Sequence, residues 1–183
     1  YTGAGLYRPV WLIEKEAAYF AADGIYIHTE KIDGGYRTEV SAEIVLPEGA
    51  TASDYLVSYQ VFDKEKNVVA EAVISAENTT TDLVVEHAKE WSLCQPYLYE
   101  LQAELLLVRS RKKEDKWEEV LDSETVSYGY RTLEFTCDKG FFLNGEHVKL
   151  NGVCLHHDLG CLGSAMNKNA LRRQWEIMQD MGA

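Results

Sequence analysis

The feature that most constrains this chain is a two-residue rhythm. Between Tyr36 and Leu46, Val40, Ala42, Ile44 and Leu46 fall on one side while Glu39, Ser41 and Glu43 fall on the other. Such alternation puts successive side chains on opposite faces of a β-strand, one face dry and one wet. The rhythm recurs along the first 130 residues. Ile25–Thr29 runs to a turn at Gly34-Gly35, and Pro47-Glu48-Gly49 closes the next strand. Tyr55–Phe62 alternates and is joined to Val68–Ile74 through the charged loop Asp63–Asn67, and Leu83–Val85 is shorter. Tyr97–Val108 is long and apolar, the pattern of a central strand, and Arg109–Lys116 reads as a solvated charged turn. Trp117–Leu121 and Thr125–Leu133 complete the set. About seven or eight short strands with turn signals at this spacing predict an Ig-like β-sandwich. The cross-sheet cysteine pair of antibody domains is missing, so packing alone must close it.

After Leu133 the grammar changes. Phe141–Leu143 and Val148–Leu150 flank Asn144-Gly145, the strongest short hairpin signal a sequence gives. A second Asn-Gly at 151–152 redirects the chain into Val153-Cys154-Leu155. That run lacks polar alternation and predicts a short strand buried on both faces, as in a parallel sheet. His156, His157 and Asp158 crowd its carboxyl end, followed by Gly160 and Gly163. A helix then runs from about Asn167 or Asn169 to Met181: either Asn can cap it, and Leu171, Trp175 and Met178 form its apolar stripe. Gly182 ends it. Strand, glycine loop and helix make one β-α unit, in which ligands bind at the strand's carboxyl end. His156, His157 and Asp158 are therefore candidate binding residues, although the same residues also suit a hydrogen-bonded turn. The fold class read from the residues is mainly β, a sandwich followed by the first strand-helix unit of a truncated (β/α)8 barrel.

Charge narrows the function. The chain carries a net charge of −12 and is 46% hydrophobic and 11% aromatic, ample for a packed core. Residues 131–183 hold six basic and six acidic residues, which leaves 12 basic and 24 acidic in the first 130. A surface that acidic repels nucleic acid and anionic membranes. No run of about 18 apolar residues suggests a membrane span. Cys94, Cys137, Cys154 and Cys161 show neither a C-x-x-C pair nor zinc spacing, and Cys154, within an apolar run, is expected to be a buried thiol. The sequence starts at Tyr1-Thr2-Gly3 and reads as a piece of a longer protein, so the compartment is not legible.

At this point particular residues carry a resemblance. Leu6-Tyr7-Arg8-Pro9-Val10-Trp11-Leu12, Pro96-Tyr97-Leu98-Tyr99, Gly129-Tyr130-Arg131, and Phe142-Leu143-Asn144-Gly145 through Lys149-Leu150-Asn151-Gly152-Val153 into His156-His157-Asp158 resemble family 2 glycoside hydrolases. These are the β-galactosidase, β-glucuronidase and β-mannosidase type. The resemblance implies a jelly-roll sugar-binding domain, then an Ig-like sandwich, then a catalytic barrel. It makes residues 1–14 the last jelly-roll strand, 15–131 the sandwich and 132–183 the start of the barrel. It also implies retaining hydrolysis by two glutamates about 5 Å apart, both on later barrel strands. No residue here matches them: Glu146 belongs to a hairpin and Glu176 to a helix. This chain alone is therefore expected to contain no catalytic residue and to be inactive. His156 matches a histidine that resembles a sugar-hydroxyl contact, and Asp158 falls where some members set a carboxylate against the sugar. His157 departs from the glutamic acid of better-known members, and Cys154-Leu155 departs from the usual Asn-Arg or Asn-Lys. The wording His156-His157-Asp158-Leu159-Gly160 favours the β-galactosidase branch, hydrolysing terminal β-linked sugars in a bacterial cytoplasm or periplasm. A carbohydrate substrate, a possible homo-oligomer, and no cofactor, nucleic acid or membrane partner complete the implied picture.

Two other readings compete. A stand-alone carbohydrate-binding or adhesion sandwich is opposed by the tail, which has the pattern of a β-α unit. A metal site of His147, His156, His157 and Asp158 is opposed by strand geometry, because adjacent histidines point to opposite faces.

Overall fold

The computed structural model describes residues 9–112, 115–156 and 159–183. These residues divide into two compact units, one of residues 15–112, 115–134 and 142–146, the other of residues 9–14, 135–141, 147–156 and 159–183.

The larger unit is built from seven antiparallel strands in two sheets. Strands β1 (Tyr19–Ile32), β2 (Gly35–Val45) and β5 (Thr81–Glu86) form one sheet in the order β1-β2-β5. Strands β3 (Tyr55–Phe62), β4 (Val68–Ser75), β6 (Tyr99–Lys112) and β7 (Asp115–Tyr128) form the other in the order β4-β3-β6-β7. The alternation seen in the sequence decides which side chains face the other sheet. Tyr36, Thr38, Val40 and Ala42 of β2 point inward, as do Tyr55, Val57, Tyr59 and Val61 of β3. Leu83, Val85, Leu101, Ala103 and Leu105 complete the core. Each fully buried Val or Leu contributes about 1.5–3 kcal/mol relative to exposure. The expected central strand is β6, paired with β3 on one side and β7 on the other.

Two expectations fail along β6 and β7. The charged stretch Arg109–Lys116 is not a loop, since the ladder runs on through Arg109↔Trp117 to Lys112↔Asp115. The two short strands expected at Trp117–Leu121 and Thr125–Leu133 are one strand. A bulge at Leu121, between the pairs Leu105↔Asp122 and Leu106↔Val120, carries the ladder across the polar Asp122-Ser123-Glu124. Polar residues interrupt a strand only where both faces are dry. Here β7 edges its sheet, and Asp122 has partners of its own.

A smaller sheet, β10-β9-β8, comprises β8 (Leu133–Thr136), β9 (Gly140–Leu143) and β10 (Glu146–Val148). Asn144 and Gly145, at φ 51° and 81°, form the turn between β9 and β10. A two-residue turn of that hand suits the twist of the strands, and Asn and Gly tolerate positive φ best. The second arm is Glu146–Val148, two residues earlier than Val148–Leu150.

In the second unit, helix α1 spans Lys168–Asp180. Asn167 caps it, its side-chain oxygen accepting from the N–H groups of Asn169 and Ala170 at 3.1 and 3.0 Å. Gly182, at φ 83°, follows its last turn. Leu171 and Met178 are half-buried as expected, but Gln174 shares their face and Trp175 is 63% exposed. The buried strand expected at Val153-Cys154-Leu155 is absent. Residues 149–156 have no regular structure, and Cys154 is exposed rather than buried. A short run of this kind becomes a strand only with ladder partners on its edges and cover on both faces. Among the described residues it has no ladder partner. Val10–Ile13 is likewise exposed and irregular, against the strand expected there.

Candidate functional site

Of the three residues singled out at the expected strand end, one lies among the described residues. His156 is exposed on the irregular stretch, and His157 and Asp158 lie outside the described residues. His147 sits on β10, exposed. Among the described residues no three His, Cys, Asp or Glu side chains are grouped to hold a metal ion.

What the larger unit does build is a layer of tyrosines at one end of the sandwich. Thr38 Oγ1 and Tyr130 Oη lie 2.7 Å apart, and Tyr130 Oη lies 2.8 Å from Tyr128 Oη. Tyr36 stacks on Tyr130 with ring centres 4.8 Å apart, and Tyr99 meets Tyr130 edge-on at 4.9 Å. Burial pushes the Tyr128 hydroxyl far above the ordinary range, with Tyr130 adding to the effect. These phenols stay neutral and act as fixed donors and acceptors. Tyr99 also ties a loop down, its Oη accepting from Lys89 N at 2.9 Å, and the neighbouring Tyr97 does the same, its Oη accepting from Lys64 N at 3.2 Å. A tyrosine at the start of this strand, bonded to upstream backbone, is a hallmark of Ig-like sandwiches.

Tyr36 Oη donates to Glu90 at 2.7 Å, and Lys31 reaches the same carboxylate at 2.7 Å. The Lys31 ammonium holds the Glu90 carboxyl below its ordinary value, with help from Tyr36 and against the opposing effect of burial. Trp91 N–H then donates to the Tyr130 carbonyl at 2.8 Å. From the other side Asn144 closes the layer. Its Nδ2 donates to the Trp91 carbonyl at 3.0 Å, its Oδ1 accepts from Thr132 N–H at 2.9 Å, and its own N–H donates to the Thr132 carbonyl at 2.9 Å. Asn144 is thus more than a turn former: it pins the hairpin to the end of the sandwich. Only the Asn-Gly turn signal marked it in the sequence, which says nothing of its partners.

Beside this layer, where β1 and β7 part, lies an open cleft of about 490 Å³. His28, Thr29, Ser127 and Arg131 supply its polar lining, and Leu98 and Leu133 its apolar lining. The Arg131 guanidinium lies over the Trp91 ring, 5.2 Å from its centre. The sequence offered no signal for this cleft beyond Gly129-Tyr130-Arg131.

Two antiparallel sheets packed face to face, with strand order β1-β2-β5 and β4-β3-β6-β7, define the class, a mainly β, sandwich-like protein. Comparison with known proteins names the family. Residues 20–131 match the family model described as glycosyl hydrolases family 2, and the chain belongs to that family. Over its whole length it is 34% identical to a β-galactosidase of Bacteroides ovatus and 30% identical to a putative β-glucuronidase of Formosa agariphila. Those alignments take in 21% and 17% of the two relatives. A crystal structure of a β-glycosidase from Bacteroides vulgatus superposes on the whole chain with a TM-score of 0.80 at 26% identity, over 22% of that structure. The chain therefore spans about a fifth of the length of the relatives it matches.

Proposed function

We propose that this chain is the Ig-like sandwich and the start of the catalytic barrel of a retaining β-glycosidase that hydrolyses terminal β-galactosides. The observation that supports this best is continuity. The family match covers residues 20–131, and the alignments with the two relatives take in the whole chain, the Asn144-Gly145 hairpin and His156 included. In this reading residues 1–14 end a preceding sugar-binding domain, 15–131 form the sandwich and 132–183 open the barrel. His156 and Asp158 contact sugar hydroxyls, and His157 tunes which sugar is taken. The two carboxylic acids that such hydrolysis requires are supplied from elsewhere in the longer protein, because in this reading the glutamates of residues 1–130 belong to the sandwich, Glu146 to a hairpin and Glu176 to a helix.

The relatives are named both β-galactosidase and β-glucuronidase. The run His156-His157-Asp158-Leu159-Gly160 favours the former. The role of the present chain is structural: its tyrosine layer and Asn144 fix where the barrel begins. The test is a substrate panel. The longer protein is expected to release nitrophenol from a nitrophenyl β-galactoside faster than from the β-glucuronide, and the 183-residue chain to release none. A reversed preference would overturn the galactoside assignment. Turnover by the chain alone, free of host enzyme, would overturn its non-catalytic role.

A further inference from the structure

The cleft between β1 and β7 has a composition at odds with the unit that contains it. Residues 1–130 hold twice as many acidic as basic side chains, yet none of the residues lining the cleft is Asp or Glu. Five cations elsewhere in the unit are matched to carboxylates. Lys15 reaches Asp122 and Glu124, Lys31 reaches Glu90, Arg37 reaches Glu30, Lys66 reaches Glu100 and Arg109 reaches Glu119. Among the described residues Arg131 has no carboxylate partner, and its guanidinium is held in place by the face of Trp91. Trp91 is itself fixed by the Tyr130 carbonyl and by Asn144. A guanidinium pre-positioned on an aromatic face, without an acid of its own, is a ready fork for an incoming carboxylate. Nearby, Ser127 brings a hydroxyl and His28 an imidazole, both exposed, the groups that bond sugar hydroxyls, while Leu98 and Leu133 offer apolar surface to the ring's C–H face. A volume of about 490 Å³ is within the range of small-ligand sites and larger than a bare carboxylate needs.

We propose that this cleft is a binding site for a carboxylate-bearing sugar, with Arg131 taking the carboxylate and Ser127 and His28 taking hydroxyls. Apart from Leu133, it uses none of the residues assigned to the barrel start. Sodium glucuronate, glucose and acetate are titrated into the 183-residue chain by calorimetry at low salt. Glucuronate is expected to bind saturably, and glucose and acetate at least about tenfold more weakly, since each lacks one of the two recognition elements. Arg131→Gln should weaken glucuronate about tenfold or more by the same reasoning. Because Arg131 covers Trp91, a second variant guards against a folding artefact. Ser127→Asp, at an exposed strand position, sets a carboxylate in the cleft and should abolish glucuronate binding while the circular dichroism stays that of the parent chain. Absence of saturable glucuronate binding, equal binding of glucose or acetate, or glucuronate binding unchanged in Ser127→Asp would each overturn the proposal.

Discussion

Thr38 is the one fully buried polar side chain among the described core residues, and Tyr130 is its partner. Removing the Tyr130 hydroxyl leaves Thr38 Oγ1 in the core without that bond and also deprives Tyr128. Tyr130→Phe should therefore destabilise the sandwich by about 1–3 kcal/mol, read as a lower urea midpoint. Adding Thr38→Val should recover part of the loss, because the orphaned hydroxyl goes too; additive losses would refute the pairing. Asp122 belongs to the same scale. Its Oδ2 accepts from Phe20 N–H and from Lys15 Nζ, each at 2.9 Å. Burial alone would raise the Asp122 carboxyl, but Lys15 and the Phe20 N–H outweigh it and hold it below the ordinary value. A carboxyl lowered on folding contributes stability that is present above its unfolded pKa, about 3.9, and is lost as pH falls through the folded value. Asp122→Asn is thus expected to lower stability at neutral pH and to flatten its decline below about pH 4. An unaltered pH profile would show that the Lys15 contact carries no weight.

At the scale of elements, β2 shows how far local pattern reaches. Its alternation fixed the strand, its inward face and its turn, since all three follow from side-chain direction and glycine geometry. Gly35 carries a constraint the pattern hides: a Cβ there would lie 2.3 Å from the Val85 carbonyl oxygen of β5. Gly35→Ala should disturb the β2–β5 pairing and cost about 1–3 kcal/mol of strain, and an unchanged urea midpoint would contradict that. The helix cap at Asn167 and the Asn144-Gly145 turn were legible for the same reason, being encoded within four residues. The fused β7 was not, because its continuity depends on β6 running alongside and on Lys15 and Phe20 satisfying Asp122. Nor was the irregular stretch 149–156: apolar residues there signal burial, but what would bury them is not a local property. The Arg131 cleft is illegible for a third reason, since its polar residues are contributed by β1, by the end of β7 and by the segment beyond it.

At the scale of the molecule, the sandwich core is self-sufficient. Its buried cluster runs from Ala18 to Tyr130 and includes nothing from the hairpin or helix α1. Removing residues 167–183 is therefore expected to leave the sandwich's cooperative unfolding unchanged; its loss would place α1 in the sandwich core. The helix, with Trp175 and Ile177 exposed, keeps apolar surface that the described residues do not cover. The central claim, that this chain supplies the barrel's first sugar contact, rests on His156. The direct measurement is kcat/KM of the longer enzyme on a nitrophenyl β-galactoside, with and without His156→Ala. A hydroxyl contact that strengthens in the transition state is worth about 1–3 kcal/mol, so the variant should fall about fivefold to 150-fold while its folding is unaltered. A kcat/KM equal to that of the parent enzyme would contradict the assignment.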